Sequence, residues 1–382
     1  MTHTKFTAGR FWSVFNTHLH LRRLAGLGFA AVLAGALPCA GQVTPAAGYT
    51  PPDDTPAIKV GVTIFADYTI NQKPKIKDAD GNDVTLNQFQ VARSYINVTG
   101  NISHSILFRV TPDVTRETGT GSSLNGSYTF RLKYAYAQWN LEDYMAKGSF
   151  ARFGMQQNPY FDFFEAVYRY RFQGTIFNER EGYQSSADVG AAFRYNLPNN
   201  YGDIQTGFFN GENYNKPEVN DQKSFMFRGT VRPVHVHPIL RGFRLTGFIN
   251  KDAYVKNADR TRALFAATFE HANVNAAFEY LSTKDQTSAT KTAVDGRGWS
   301  VFVTPKTARG WEGIVRFDHL VPNQDVKSQV RERTIAGVSY WFPHQGNVST
   351  ALLFDVDNAK FDGFSPAQPT QRRIAVHALV NF

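Results

Sequence analysis

Between residues 157 and 185 the chain places Asp162, Glu165, Tyr168, Arg169, Tyr170, Arg171, Glu179, Arg180 and Glu181, so charges of both signs and several phenols share one short stretch. Taken alone, such a set supports a loop held by local ion pairs, for instance Glu165 with Arg169 at helical spacing. No other pattern nominates a reaction. There is no Gly-x-Ser-x-Gly elbow, no His-Glu-x-x-His and no phosphate-binding Gly-x-x-x-x-Gly-Lys. The glycine-rich stretch from Gly119 to Gly126 lacks a lysine and reads as a loop tip. His235 and His237 would share a face of an extended chain, but two ligands beside Pro238 are too few for a structural metal site. An enzyme would need acid, base and nucleophile to converge, and the sequence nominates none. We therefore expect no catalysis, no cofactor and no metal.

The elements that position these residues begin after a distinct N-terminus. Lys5, Arg10, Arg22 and Arg23 precede an apolar run from Leu24 to Leu37, and small residues follow at Ala40 and Gly41. Residues 1–41 read as a signal peptide, the apolar run being shorter than the roughly 20 residues of a membrane-spanning helix. Cys39, the single cysteine, follows Pro38 rather than the small residue that lipidation wants. Without it the exported chain has no thiol or disulfide chemistry. Without the leader's four basic residues, Lys+Arg falls from 41 to 37 against 32 Asp+Glu, and the net charge from +9 to +5. The remaining basic residues are scattered, unlike a nucleic-acid-binding face. Residues 42–57 would form a short periplasmic segment, and 58–382 one large domain without linker or low-complexity tract.

The chain is 14% aromatic and only 19% charged, yet no apolar run beyond the leader reaches the length of a membrane helix. A barrel reconciles both facts, because a closed sheet is the non-helical way to pair every backbone group in hydrocarbon. The test is parity. Ile58, Val60, Val62, Ile64, Tyr68 and Ile70 fall on one face of a strand, with Lys59, Thr63, Asp67 and Thr69 on the other. Val189, Ala191, Phe193 and Tyr195 oppose Asp188, Arg194 and Asn196. Phe225, Phe227 and Val231 oppose Arg228 and Arg232, and Ala263, Phe265, Ala267 and Phe269 oppose Arg260, Arg262, Thr268 and Glu270. Trp311, Val315 and Phe317 oppose Glu312, Arg316 and Asp318. Such separation is demanded where Arg or Lys on the lipid face costs about 2–4 kcal/mol at the midplane.

A soluble sandwich alternates too, so strand number and loop lengths decide. Strands are expected near 58–70, 87–99, 103–113, 127–141, 148–157, 186–197, 203–210, 223–232, 240–250, 259–271, 274–281, 297–304, 311–320, 331–342, 347–356 and 371–382, which makes sixteen. Short connections at 198–202, 272–273, 305–310 and 343–346 lie between long polar ones at 71–86, 112–127, 210–222, 282–296 and 357–370. Short turns on one side and long loops on the other fit a transmembrane antiparallel β-barrel. In the last strand Ile374, Val376, Ala378, Val380 and the terminal Phe382 alternate with Arg373, His377 and Asn381. A final strand ending in Phe resembles the assembly signal of bacterial outer-membrane proteins.

Several stretches resemble the phosphate-selective porin O/P family and its trimeric relatives. They are Gly154-Met155-Gln156-Gln157-Asn158-Pro159-Tyr160, Phe209-Asn210-Gly211-Glu212 and Trp311-Glu312-Gly313-Ile314-Val315-Arg316-Phe317-Asp318, with a weaker echo at Val91-Ala92-Arg93 and Val98-Thr99-Gly100. The resemblance runs in order from about Phe89 onward. It implies a homotrimeric bacterial outer-membrane porin whose third loop, 157–185, folds inward and narrows the lumen. Asp162, Glu165, Tyr168, Arg169, Tyr170, Arg171 and Arg180 would then be constriction residues, giving the crossed field that selects solutes. Lipid, lipopolysaccharide and the barrel-assembly machinery would be its partners.

Inward basic residues are expected at Lys59, Arg93, Arg109, Arg131, Lys133, Arg194, Arg228, Arg232, Arg244, Arg260, Arg262, Arg316 and Arg373. The inward acids are Asp67, Asp113, Asp188, Glu270, Glu279, Glu312, Asp318 and Asp355. The positive surplus suggests a modest preference for anions, with small anionic or neutral solutes as the molecules that pass. Cross-strand pairing that stiffens the wall is the equal alternative. No cluster of pore lysines is evident, so phosphate selectivity does not carry over with the resemblance. The other readings are a non-conducting adhesive barrel and, more remotely, a barrel enzyme. A gated receptor would need roughly 22 strands and a plug, for which the chain is too short.

Overall fold

The structure, a computed structural model, describes residues 56–344, 346 and 348–382. The expected signal peptide and nearly all of the segment 42–57 lie outside the described residues. Sixteen strands follow one another: β1 (Ala57–Lys77), β2 (Asp83–Asn101), β3 (Ile106–Arg116), β4 (Tyr128–Asn140), β5 (Phe150–Gln157), β6 (Ala187–Asn196), β7 (Gly202–Phe209) and β8 (Ser224–Val231), then β9 (Phe243–Asp252), β10 (Arg260–His271), β11 (Val274–Asp285), β12 (Val294–Pro305), β13 (Trp311–Val321), β14 (Val330–Trp341), β15 (Ser349–Asp362) and β16 (Gln371–Asn381). Each pairs antiparallel with the next, and β16 pairs with β1, closing the sheet into an all-β barrel. Closure leaves no edge of unpaired N–H and C=O groups.

The parity argument holds strand after strand. Outward rows carry exposed apolar side chains such as Val60, Phe89, Phe153, Phe265, Val315 and Phe354. Inward rows carry buried polar ones such as Thr63, Arg109, Arg228, Arg262 and Arg316. Among the register shifts, those in β2 and β4 bear on the inward rows. Phe65 and Ala66 of β1 pair with Arg93 and Val91, which leaves Ala92 as an extra residue in β2. Thr111 and Pro112 of β3 pair with Tyr134 and Leu132, which leaves Lys133 as an extra residue in β4. Pro112 has no N–H for the ladder, and a bulge is where a strand tolerates that. In consequence Lys133 and Tyr134 are both buried, and Tyr136 and Gln138 take the inward row after them.

The expected strand ends are corrected on one rim. The segments read as long polar loops at 71–86, 112–127, 282–296 and 357–370 are partly strand. β1 and β2 pair as far as Lys77 with Asp83, β3 and β4 as far as Arg116 with Tyr128, and β11 and β12 as far as Asp285 with Val294. β15 runs on to Asp362, which pairs with Val330. At the first tip Asp78 Oδ1 accepts the N–H groups of Asp80 and Asn82 at 3.0 and 2.9 Å, an Asx turn that closes the hairpin. Polar composition signals exposure to water, and a paired strand that projects past the apolar outward rows is exposed to it as well.

The seam between β16 and β1 holds two features. Phe382 and Val62 exchange both backbone hydrogen bonds, at 2.9 and 3.1 Å. Deleting Phe382 removes two ladder bonds, about 1–3 kcal/mol in total, together with an aromatic residue at the end of the apolar band. We expect the amount of folded, heat-modifiable barrel in the membrane fraction to fall, and Phe382→Tyr to restore it. Equal yields on a denaturing gel would remove the residue's part in closure. Next along the seam, His377 lies between two carboxylates, with Nδ1 3.5 Å from Asp67 and Nε2 3.4 Å from Asp355.

Candidate functional site

The connection from β5 to β6 is built around a helix that the sequence announces at its start. Asn158 accepts the N–H of Tyr160 through Oδ1 at 2.9 Å, Pro159 occupies the first turn and Asp162 follows it, as an N-terminus requires. The helix, α1 (Pro159–Tyr168), ends where Arg169 adopts φ 60° and its N–H bonds Glu165 O. A second short helix, α2 (Phe177–Arg180), follows. Gly154, just before, has φ +120°, and a Cβ there would stand 2.9 Å from Tyr136 Cα. Only glycine allows β5 to approach β4 so closely.

α1 is two-faced. Tyr160 packs at a tilt against Phe248 of β9, and Phe164 and Tyr168 meet Phe302 of β12 with ring centroids 6.1 and 5.3 Å apart. Tyr160 donates to Glu279 of β11, and Asn275 donates to Val167 O at 3.1 Å. Further along, Tyr170 and Phe172 pack edge-on against Trp341 of β14, and Phe172 lies 6.4 Å from Phe65 of β1. The inward apolar residues Leu281, Ile314, Leu320, Leu353 and Leu379, to which polarity alone assigns no role, belong to the same buried cluster.

Charged groups of the connection are matched to particular strands. Arg169 bonds Glu312 at 2.8 Å and stacks over Trp341, so the expected local pair with Glu165 is corrected. Glu165 instead accepts from Arg171 at 2.8 Å, and Arg171 also reaches Glu179 at 3.1 Å. Burial opposes the charge on Glu179, but Arg171, then Lys133 and Arg93, hold its carboxyl below the ordinary value. Burial, then the neighbouring Arg316, brings the Arg180 guanidinium down to about 10, and Arg180 stands 3.9 Å from Asp357. Arg331 pairs with Glu181 at 3.2 Å.

These contacts cover the wall from β8 round to β1 and leave β1–β5 facing the other side of α1. Asp162, Glu165 and Ala166, at i, i+3 and i+4 on the helix, line a small, partly open cavity whose other boundary is Thr63, Phe65, Tyr95, Asn97, Arg109, Lys133, Tyr134 and Gln157. The strand wall is basic and the helix face acidic. Arg109 donates to Asn97 at 2.7 Å and Thr111 at 2.9 Å and stacks over Tyr134. Lys133 donates to Tyr95 at 3.2 Å and lies over its ring. Arg152, one strand on, donates to Gln138 and Gln157 and stacks over Tyr136 and Phe150. Lys133 and Arg152 make no ion pair among the described residues.

The anion-selective porin from Comamonas acidovorans superposes with a TM-score of 0.61 at 10% identity, over 86% of this chain and 100% of that one. Outer-membrane expressed OmpT of Vibrio cholerae gives 0.58 at 12% identity over 87% and 100%. The outer membrane channel DcaP of Acinetobacter baumannii gives 0.54 at 9% over 88% and 100%. The barrel has the fold of outer-membrane porins and channels. No family model and no curated protein matches the sequence.

In this porin-like barrel the expected inward arginines sort by partner. Arg93 and Arg131 share Asp113 at 2.8 and 3.0 Å. Arg194 and Arg228 share Asp203, Arg244 pairs with Glu270, and Arg260 pairs with Asp252. Arg262 pairs with Asp285, Arg316 with Asp318, and Arg373 with Asp357. Polarity parity missed Arg152, Arg331 and Arg333 on the basic side and Asp203, Asp252, Asp285 and Asp357 on the acidic side. Several of these lie near strand ends, where the expected boundaries stopped short. His235 lies against Tyr201 with tilted rings whose centroids are 3.8 Å apart, and His237 Nδ1 accepts the N–H groups of Ile239 and Leu240. Both histidines serve the β8–β9 turn.

Proposed function

We propose that the chain is a porin of a bacterial outer membrane through which small hydrophilic solutes and ions diffuse passively, with a modest preference for anions. One observation carries the reading: the β5–β6 connection packs against half of the ring, and its acidic helix face stands across a cavity from a basic strand wall. In this reading Asp162, Glu165, Tyr168, Arg169, Tyr170, Arg171 and Arg180 belong to a constriction, some facing the passage and the others anchoring it. The apolar outward rows supply the lipid-facing band. Arg152, hydrogen-bonded only to neutral groups, and Lys133, which hydrogen-bonds Tyr95 and shares the field of Glu179 with Arg171, supply the positive charge that concentrates anions. That one structural neighbour is an anion-selective porin points the same way.

Export by a cleaved leader, folding by the barrel-assembly machinery, contact with lipopolysaccharide and assembly as a homotrimer complete the proposal. A neighbour described as a trimer supports the last. Membership of the phosphate-selective O/P family rests on the quoted motifs, and Gly154 and Asn158-Pro159 among them have the physical roles given above. Phosphate selectivity is not included, since most inward arginines are already paired to carboxylates. The test is a planar bilayer with a KCl gradient. Stepwise openings with a reversal potential on the chloride side support the reading. A purified, folded barrel that carries no current overturns it in favour of an adhesive or structural barrel.

A further inference from the structure

The cavity between α1 and the strand wall presents opposite charges to whatever enters it. On the wall Lys133 has the Tyr95 hydroxyl as its hydrogen-bond partner and makes no ion pair among the described residues. On the helix Asp162 makes no contact ion pair among the described residues, although Arg228 of β8 feels its charge, whereas Glu165 beside it is matched by Arg171 at 2.8 Å. Gln157 and the rings of Phe65 and Tyr134 complete the boundary.

We propose that the passage favours zwitterionic solutes of the α-amino-acid and short-peptide class, the carboxylate directed to Lys133 and the ammonium to Asp162. The inference rests on the porin reading and names its solute class. A simple anion gains from Lys133 and is repelled by Asp162, and a simple cation meets the reverse. A neutral solute gains from neither. A molecule carrying both charges collects both terms at once. A unit charge about 6 Å away in water-like dielectric enriches its counter-charge about threefold, so two such terms give about tenfold over a neutral solute of the same size. The amide of Gln157 and the aryl faces then have the peptide backbone and side chain to contact.

The experiment measures uptake of glycylglycine into proteoliposomes holding the full barrel, against N-acetylglycinamide, an uncharged molecule of similar size, with single-channel conductance recorded on the same preparation. The expected uptake ratio is about ten. Lys133→Gln and Asp162→Asn are each expected to lower it about threefold. Exchanging the two charges, Lys133→Asp with Asp162→Lys, is expected to restore it, which separates a paired-charge effect from misfolding. A ratio near one in a channel that conducts overturns the inference and leaves the porin standing. So does a ratio that Lys133→Gln lowers but Asp162→Asn raises, which would mean carboxylate recognition alone. Absence of conductance overturns the porin reading itself.

Discussion

Replacing Lys133 and Arg152 together by glutamine is expected to move the reversal potential from the chloride side toward the potassium side. These two cations face the passage or stand directly behind Gln157, and their partners are the neutral groups Tyr95, Gln138 and Gln157. Removing them therefore changes the fixed charge near the cavity and leaves Glu179 its contact with Arg171 at 3.1 Å. At about 6 Å and water-like dielectric each charge is worth about 0.7 kcal/mol with opposite sign on the two ions, or about tenfold in the chloride-to-potassium ratio. The shift should shrink as salt rises, because the Debye length falls from about 10 Å at 0.1 M to about 3 Å at 1 M. A matched control is Arg316→Gln with Asp318→Asn, which removes a buried pair whose Nε–Oδ1 distance is 2.8 Å and leaves the net charge unchanged. Selectivity that follows the control as strongly as the double variant would mean that the charge of the whole lumen, not the passage, sets it.

The seam gives the largest expected effect on stability. His377→Leu takes the imidazole from between Asp67 and Asp355, all three nearly inaccessible to solvent. Two carboxylates then remain buried across β1 and β15 with nothing between them. Breaking a buried ionic contact by removing one partner costs about 3–5 kcal/mol, and here the loss falls where the barrel closes. The urea midpoint of the folded barrel, followed by tryptophan fluorescence in lipid vesicles, should drop accordingly. Adding Asp67→Asn and Asp355→Asn to the leucine variant should recover much of it, since the cost lies in the stranded charges rather than in the lost ring. An unchanged midpoint for His377→Leu would show that water reaches the seam and solvates the two acids.

Much of this was legible in the sequence because strand parity is local. A residue two positions along a strand faces the same side whatever the rest of the chain does, so Lys59 through Arg373 could be assigned to the inward row one segment at a time. Sixteen strands and an aromatic terminus at Phe382 follow from the same local pattern and from turn chemistry. The start of α1 was legible too, in Asn158-Pro159, although a β-rich context hides a ten-residue helix. What the sequence could not yield is who faces whom across the ring. Arg169 could have met Glu165 four residues earlier, and meets Glu312 instead, because αL geometry at the end of α1 turns it toward β13. Inward Leu281, Leu353 and Leu379 defied polarity until the connection that covers them was in place. Lys133 owes its position to a bulge opposite Pro112, a register shift that depends on which residue of β3 lies beside it. Local alternation thus determined the barrel, while pairings between groups far apart in the chain decided where a cavity remains and which charges border it.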